Sequence, residues 1–267
     1  MKYIADQYSK YDYPLIPSKH DLEVYQYFID NFLKATQRQD INVLICGVTP
    51  HLVNLDYPEK AFILGVDFSE DMIRYVWPGD VKGKRRALRA NWLDMDIASD
   101  SIDIIIGDGS LNFLDNTSYQ SFLHKASTIL KKDGVMIKRT YLKSDRDTPE
   151  ECFRGIFEKR FQNLTEFRLR FIRSMQQDEN QGVLMADVYE LWHGMNPDLD
   201  QIASATGYDV SMLKGMDFYK DMKARLFFHS LDFHEGELKR VFKVVETKAP
   251  SAHMGEELPI ISARGKL

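Results

Sequence analysis

Cysteine is scarce in this 267-residue chain, because Cys46 and Cys152 are the only two and they lie far apart. That count does not support a disulfide framework, and without a C-x-x-C spacing it does not support a zinc site. Long apolar runs are also missing, since none approaches the roughly 18 residues of a membrane-spanning helix. The first ten residues lack the apolar core of a signal peptide. We therefore expect a reduced, cytoplasmic protein with no metal site and no membrane span.

Positive charge is in short supply as well, because 35 lysines and arginines stand against 40 aspartates and glutamates, for a net charge of -5. An overall negative field repels a polyanion, so the composition argues against a nucleic-acid partner. A local basic cluster at residues 82–89 is interpreted as a solvated turn. Hydrophobic residues make up 44% of the chain, which is enough for a globular core.

Five short segments in the first half of the chain have the character of strands. Those at residues 42–46 and 62–66 are continuous apolar runs, which are typical of strands that are covered on both faces of a parallel sheet. The five strands are predicted at residues 42–46, 62–66, 86–90, 102–106 and 134–137. Right-handed crossovers would wind them into an α/β fold, with helices on both faces of a mostly parallel sheet.

Two helices of this half have recognisable ends. One begins after Ser18, where Ser18 and Asp21 resemble a capping pair. The other covers residues 119–130 and takes Asn116 or Thr117 as its cap. We expect it to end in the basic last turn and glycine stop of residues 131–134.

The character of the chain changes at residue 147. Thr148-Pro149-Glu150-Glu151 predicts a capped helix start, aromatic-rich amphipathic helices follow, and no strand is expected until about Phe242. Two extended runs joined by a glycine-bearing loop then predict an antiparallel hairpin at a sheet edge. The predicted parts are an N-terminal cap segment and helix, a core, a helical insertion and the terminal hairpin, at residues 1–40, 41–146, 147–236 and 237–267.

One segment of the insertion has the spacing of a helix-turn-helix, from Leu199 to Met216. DNA binding would need a basic second helix, and only Lys214 lies there, beside Asp209 and Asp217. We interpret the segment as a small helical hairpin.

A lone glycine and a lone acid end the first two predicted strands. Asp67 follows Gly47 by 20 residues (67 minus 47), the interval at which a βαβ nucleotide-binding unit brings a carboxylate to a ribose hydroxyl pair. The alternatives without a ligand are a plain strand-to-helix turn at Gly47 and a helix N-cap at Asp67 or Ser69. The pair suggests an adenosine-containing cofactor.

Five parallel strands closed by a terminal hairpin, with an acid ending the second strand, resemble the class I S-adenosylmethionine-dependent methyltransferases. The resemblance covers about residues 41–142 and 240–267, and it includes a G-V-T-P variant of the family's glycine turn. It implies a Rossmann-like methyltransferase fold, with a cofactor-binding core and the insertion as a lid. It also implies S-adenosyl-L-methionine as cofactor, which has no phosphate and tolerates the loss of the later glycines.

The resemblance further implies which residues contact the cofactor. Asp67 would accept hydrogen bonds from both ribose hydroxyls, and Phe68 and Met72 would flank the adenine. Asn91 stands where the family often has an aspartate that reaches the adenine amino group. Trp92 either stacks on the adenine or fills the core. The complete expected set is Gly47, Thr49, Pro50, Asp67, Phe68, Ser69, Met72, Asn91, Trp92, Asp108, Gly109 and Ser110.

The expected reaction is in-line methyl transfer to a small-molecule acceptor, for which a general base is optional. If a hydroxyl is methylated, Asp108 at the mouth of strand four and His193 in the insertion are the candidate catalytic residues. By the same resemblance the tyrosine-rich opening would fold over the cofactor, and the alternative is that it is disordered. Four arginines are candidates for meeting an anionic substrate, namely Arg139, Arg168, Arg170 and Arg173. The alternative function is a catalytically silent cofactor-binding or regulatory module.

Overall fold

The structure is a computed structural model that describes Tyr8 and residues 11–267. Its strands are β1 (Asn42–Cys46), β2 (Phe62–Asp67), β3 (Arg85–Arg89), β4 (Ile102–Asp108), β5 (Leu130–Arg139), β6 (Val183–Leu184), β7 (Arg225–Leu226), β8 (Phe242–Lys248) and β9 (Ile260–Lys266). Its helices are α1 (Lys19–Thr36), α2 (Pro50–Val53), α3 (Glu70–Tyr75), α4 (Asn116–Ile129), α5 (Pro149–Phe157), α6 (Leu164–Ser174), α7 (Met185–Gly194), α8 (Leu199–Thr206), α9 (Val210–Leu213) and α10 (Leu231–Lys239). Within this described part of the chain, no helix combines the length and the apolarity needed to cross a membrane.

The main sheet has seven strands in the order β3-β2-β1-β4-β5-β9-β8. The first five in that order pair in parallel, while β9 lies antiparallel between β5 and the edge strand β8. The expected fold class is confirmed, and the terminal hairpin does complete the sheet. Because strands β1, β2, β4 and β5 run in parallel, their carboxyl ends meet at one edge.

Helices cover both faces of the sheet with separate apolar cores. On one face, α1 packs its Tyr25 and Phe28 against the strand residues Val43, Ile104 and Ile137. On the other face, the side chains of α4 and α10 pack with the remaining strand residues, among them Leu44, Ile105, Phe122, Met136 and Leu238. The central strands are therefore buried on both sides, as their continuous apolar runs predict.

Two of the predicted helix starts are capping boxes in the structure. At the start of α1, the Asp21 backbone N–H donates to the Ser18 hydroxyl, while the Ser18 backbone N–H donates to the Asp21 carboxylate. At the start of α5, Thr148 and Glu151 exchange the same pair of bonds. Each box satisfies backbone donors that the first turn leaves unpaired.

The two ends of α4 differ from the prediction. The N-cap is Asp115, whose carboxylate accepts from the Ser118 N–H, rather than Asn116 or Thr117. The helix ends at Ile129, and Leu130 already pairs with Ile102 in the sheet. The glycine stop at residue 134 is wrong because the buried Leu130 side chain gains more in the sheet than in a further helical turn.

The insertion contains a strand pair that the sequence analysis did not predict. Strands β6 and β7 pair antiparallel, so the expectation of no strand before Phe242 is wrong. Two residues are too few to leave a periodic signal. Around this pair the helices α5 to α8 share an apolar core that includes Phe167, Phe171 and Trp192. The segment from Leu199 folds as α8, a Gly207 turn and the single turn α9, which is the expected small helical hairpin.

Candidate functional site

A cleft of about 220 Å³ opens at the carboxyl ends of β1, β2, β4 and β5, where residues of the insertion cover it. Ligands of open parallel sheets bind at this edge. The lining residues come from the N-terminal segment, the strand ends and the insertion. They are Tyr8, Tyr11, Leu15, Cys46, Gly47, Val48, Thr49, Asp67, Met72, Trp92, Asp108, Gly109, Ser110, Phe113, Tyr141, Leu169, Ile172, Met185, Phe218, Tyr219, Met222 and Leu226.

A larger groove of about 1190 Å³ lies between α1 and the antiparallel strands β8 and β9. Its described lining includes none of the residues that the sequence analysis selected, and it does not reach the carboxyl ends of the parallel strands. The smaller cleft is therefore the candidate site.

The turn after β1 brings backbone close to the cleft. Gly47 has a φ of 104°, which a residue with a side chain adopts only with strain. Its N–H donates to the Val66 carbonyl at 2.8 Å, which ties the turn to β2. A Cβ placed on Gly47 would lie 3.9 Å from Asp67 Oδ2, so the glycine turn and the carboxylate are neighbours in the lining of the cleft.

The Asp67 carboxylate ends β2 with one oxygen used and the other turned to the cleft. Its Oδ1 accepts from the Ser69 N–H at 2.8 Å. Burial raises the pKa of the Asp67 carboxyl to about 6, and the backbone N–H groups of Ser69 and Phe68 oppose that rise. The N-cap of α3 is Ser69, whose hydroxyl accepts from the Met72 N–H at 3.3 Å. The capping alternative therefore applies to Ser69 and leaves Asp67 Oδ2 available.

Trp92 and Met72 form an apolar wall beside Asp67. The Trp92 indole N–H donates to the Val66 carbonyl at 2.6 Å, which fixes the ring at the end of β2. A fixed aromatic ring next to a carboxylate can pack against a flat ring while the carboxylate accepts hydrogen bonds from polar groups of the same ligand. Trp92 thus lines the cleft and is also held as part of the packing.

The turn after β4 forms the opposite side of the cleft. Gly109 has a φ of 63°, and a Cβ there would meet the tip of the Tyr141 ring at 2.5 Å. The Ser110 side chain is buried, and its hydroxyl has no hydrogen-bond partner among the described residues. An unpaired buried hydroxyl costs free energy, so this oxygen is a natural contact for a polar ligand group.

Asp108 is held in a buried ion pair at the same turn. The Arg139 guanidinium donates to Asp108 at 2.5 Å, to Asp21 at 3.1 Å and to the Pro14 carbonyl at 2.9 Å. Burial raises the pKa of the Asp108 carboxyl, and the adjacent Arg139 charge acts in the opposite direction. Arg139 therefore neutralises the acid and ties the N-terminal segment to the mouth of the cleft.

The N-terminal segment reaches the cleft through Tyr8, Tyr11 and Leu15. The Tyr8 hydroxyl pairs with the Thr49 side chain, and burial together with the Asp108 charge raises the pKa of Tyr8. Tyr8 is thus a neutral phenol next to the glycine turn.

Five of the residues that the sequence analysis selected do not line the cleft. Pro50 is the first residue of α2, Ser69 caps α3, and the Asn91 carboxamide oxygen accepts from the Leu93 N–H. Phe68 is 62% exposed and is not among the lining residues. His193 pairs with Asp217 at 2.8 Å on an exposed part of the insertion. The cleft does bring together Gly47, Thr49, Asp67, Met72, Trp92, Asp108, Gly109 and Ser110.

A model of the methyltransferase domain family matches residues 45–137, which run from β1 to β5 and include every strand end of the cleft. The sheet order, the Gly47 turn and the acid ending β2 are those of the class I branch. The chain contains a methyltransferase domain. Its fold is that of the class I S-adenosylmethionine-dependent methyltransferases. A comparison of the sequence with curated proteins gave no match.

Several solved methyltransferases share this fold. A SAM-dependent methyltransferase from Methanosarcina mazei aligns with a TM-score of 0.52 and 14% identity, over 90% of this chain and 97% of that one. The N-methyltransferase NodS from Bradyrhizobium japonicum, solved with S-adenosyl-L-homocysteine, aligns with a TM-score of 0.52 and 10% identity, over 99% and 97%. The CurJ carbon methyltransferase aligns with a TM-score of 0.52 and 10% identity, over 94% of this chain and 56% of that one. At these identities the likeness shows the fold alone.

Several residues of the methyltransferase cleft were missed by sequence reasoning. Tyr141 lies two residues beyond the end of β5, at the edge where the other strand ends meet, so its place in the cleft could have been predicted from its position along the chain. Phe113 ends the short turn after β4, and its place could have been predicted in the same way. Met185, Met222 and Leu226 left no such signal, because their places depend on how the insertion folds back over the sheet.

Proposed function

We propose that this methyltransferase transfers the methyl group of S-adenosylmethionine to a small-molecule acceptor that binds between the sheet edge and the insertion. The observation that carries the proposal is the Asp67 carboxylate, which lies next to the Gly47 turn in a cleft closed on its far side by apolar residues of the insertion. A carboxylate offers two oxygens in a fork, which suits a vicinal diol.

The residues of the cleft fit this cofactor. Asp67 Oδ2 and the Gly47 turn would hold the ribose, with Trp92 and Met72 against the adenine. The buried Ser110 hydroxyl supplies an unpaired polar atom for the methionine part. Gly109 leaves room at the turn after β4 that a side chain would fill, since a Cβ would collide with Tyr141.

When bound, the cofactor would supply a sulfonium methyl group for in-line transfer to the acceptor, with the electron pair of the broken S–C bond remaining on sulfur. What the protein contributes is alignment and the exclusion of water. The apolar residues of the insertion close the cleft over the strand ends. We assign Asp108 a cofactor-positioning role, because its ion pair with Arg139 occupies the carboxylate. His193 has no part in the proposal, since it lies outside the cleft.

Calorimetry with S-adenosyl-L-homocysteine tests the binding half of the proposal. We expect saturable binding to the wild type, weakened in Asp67→Ala by about 1 to 3 kcal/mol, the range for lost charge-assisted hydrogen bonds. Asp94→Ala is the matched control, because Asp94 is an exposed carboxylate outside the cleft. Failure of the folded wild type to bind would refute the proposal.

Turnover tests the catalytic half. The protein, S-adenosylmethionine and the small-molecule fraction of a cell extract should yield S-adenosyl-L-homocysteine, and Asp67→Ala should yield less. Binding without such a product across fractions would favour the alternative, a catalytically silent module. Product only with the nucleic-acid fraction would contradict the small-molecule acceptor.

A further inference from the structure

The insertion presents an apolar wall to the cleft, in which Tyr219 is the one residue with a polar side-chain atom among the described lining residues of the insertion. Ile172 comes from α6, Met185 from the start of α7, Phe218 from a 3-10 turn, Met222 from the loop that follows, and Leu226 from β7. Four separate elements and a loop therefore contribute apolar side chains to one surface. Phe113, which is 48% exposed, lies across the cleft from the sheet side. Such a surface stabilises a ligand by removing apolar area from water.

The arginines of α6 contact groups of the protein itself, both inside and outside the insertion. Arg168 donates to the Met212 carbonyl. Arg170 pairs with Glu166 at 2.8 Å and with Glu257 at 3.2 Å. Arg173 pairs with Glu257 and also donates to the Leu142 carbonyl.

The arginine at the mouth of the cleft is likewise paired. Arg139 is buried and bonded to both Asp108 and Asp21. The four arginines that the sequence analysis considered for an anionic substrate therefore hold the protein's own groups. Recruiting Arg139 to a ligand would leave the buried Asp108 and Asp21 carboxylates without their cation, which is costly. Recruiting one of the other three would break contacts that it makes within the protein.

From this apolar wall, and from the arginines that are already bonded to groups of the protein, we infer that the methyl acceptor binds as an uncharged, largely apolar molecule. The inference rests on the proposed function and narrows its substrate class. An ionised carboxylate or phosphate placed against Ile172, Met185 and Met222 would lose its hydration without gaining a partner charge. An apolar ring or chain would fill the same space at no such cost.

Three matched probes test the inference in the presence of S-adenosyl-L-homocysteine. They share a phenyl ring and differ in charge: 2-phenylethanol is neutral, phenylacetate is an anion and 2-phenylethylamine is a cation at neutral pH. Methionine-methyl NMR reports binding at Met185 and Met222. We expect 2-phenylethanol to bind at least about tenfold more tightly than either ion, because burying a charge is unfavourable here.

A charge introduced into the wall provides the second test. Met222→Lys should weaken the binding of 2-phenylethanol and strengthen the binding of phenylacetate, so that phenylacetate becomes the tighter-binding probe. The matched control is Met212→Lys, because Met212 is 37% exposed on α9 and does not line the cleft. The control should keep the wild-type order of the probes.

The outcomes separate the inference from the proposed function. If S-adenosyl-L-homocysteine does not bind, the proposed function fails. If it binds but the wild type takes an ionic probe as tightly as 2-phenylethanol, or takes no neutral probe, the inference is overturned while the proposed function stands. The wild-type comparison is decisive even if Met222→Lys does not fold.

Discussion

At the scale of single residues, Asp67 is under two opposing demands. Its carboxylate is placed to accept hydrogen bonds from a ligand, and for that it must be ionised. Burial at the end of β2 removes water from the same group and raises its pKa to about 6. The residue therefore trades stability of the protein for binding, as functional sites often do.

Asp67→Asn separates these two effects. The amide keeps an oxygen for the Ser69 N–H but carries no charge, so the free energy of unfolding should stay equal or rise by about 1 to 2 kcal/mol. S-adenosyl-L-homocysteine should bind about tenfold or more weakly. Urea unfolding and calorimetry measure the two quantities. Asp94→Asn should change neither, and a stability loss in Asp67→Asn would contradict the account.

The pH dependence of binding follows from the same pKa. Below about 6 the carboxyl is protonated, so affinity for S-adenosyl-L-homocysteine should fall as the pH drops through that value. Stability has the opposite sign, since the folded carboxyl holds its proton more tightly than the unfolded one. The wild type should lose stability as the pH rises from 3.8 to about 6. Calorimetry across this range, with Asp67→Asn as the pH-insensitive comparison, checks the first statement.

At the scale of elements, one side chain joins three segments that line the cleft. The Asn112 amide nitrogen donates to the Tyr141 carbonyl at 2.9 Å and to the Phe227 carbonyl at 2.7 Å. Its amide oxygen accepts from the Tyr141 N–H and from the Thr140 hydroxyl. The Asn112 backbone carbonyl also accepts from the Phe227 N–H. Asn112 thus ties the turn after β4 to the end of β5 and to the β7 segment of the insertion.

A buried polar chain extends this junction into the interior. The Thr140 hydroxyl lies 2.9 Å from His234 Nε2, and His234 Nδ1 lies 3.0 Å from Lys138 Nζ. Burial lowers the pKa of both Lys138 and His234 well below their usual ranges. If Thr140 donates to Asn112, then His234 donates through Nε2 and accepts from Lys138 at Nδ1, which gives every member a partner.

Asn112→Asp should loosen the insertion from the sheet edge. The new carboxylate oxygen cannot donate to the Tyr141 and Phe227 carbonyls and would repel them. Amide hydrogen exchange at Phe227 should accelerate by about tenfold or more. Exchange measured by NMR or mass spectrometry tests this, with Asn54→Asp at an exposed helix end as the control. Unchanged protection at Phe227 would show that the tie is not limiting.

At the scale of the whole molecule, Arg139 links parts that are distant in sequence. It connects the end of β5 to Asp108 on β4, to Asp21 on α1 and to Pro14 in the N-terminal segment. The Tyr25 hydroxyl completes the junction, because it donates to the Gly107 carbonyl and accepts from the Arg139 N–H. The N-terminal segment therefore reaches the cleft through a buried network as well as through apolar contacts.

Arg139→Met should destabilise the protein by about 3 to 5 kcal/mol, because it leaves two buried carboxylates without their cation. Arg38→Met removes a partly exposed arginine from Asp103, which Lys131 still pairs, and should cost less. Urea unfolding of both variants gives the comparison. A loss in Arg139→Met no larger than in Arg38→Met would argue against the network.

Local signals carried much of the fold. The buried strands β1 and β2 are recognisable in the sequence as continuous apolar runs. The capping boxes at Ser18 and Thr148 mark helix starts through short-range hydrogen bonds. The sequence was less informative where a residue could belong to either a helix or a strand, or where an element was very short. The end of α4 was misplaced because Leu130 is drawn into the sheet, and β6 and β7 are too short to show a period.

The sequence by itself determined the parallel sheet, the terminal hairpin and the Gly47 and Asp67 pair, because each depends on neighbours along the chain or on a fixed interval between strands. Only the tertiary structure decided which side chains meet at the cleft. Folding of the insertion brings Met185, Met222 and Leu226 onto the strand ends and commits the arginines to the protein's own groups. Such contacts join residues far apart in sequence, and local patterns do not encode them.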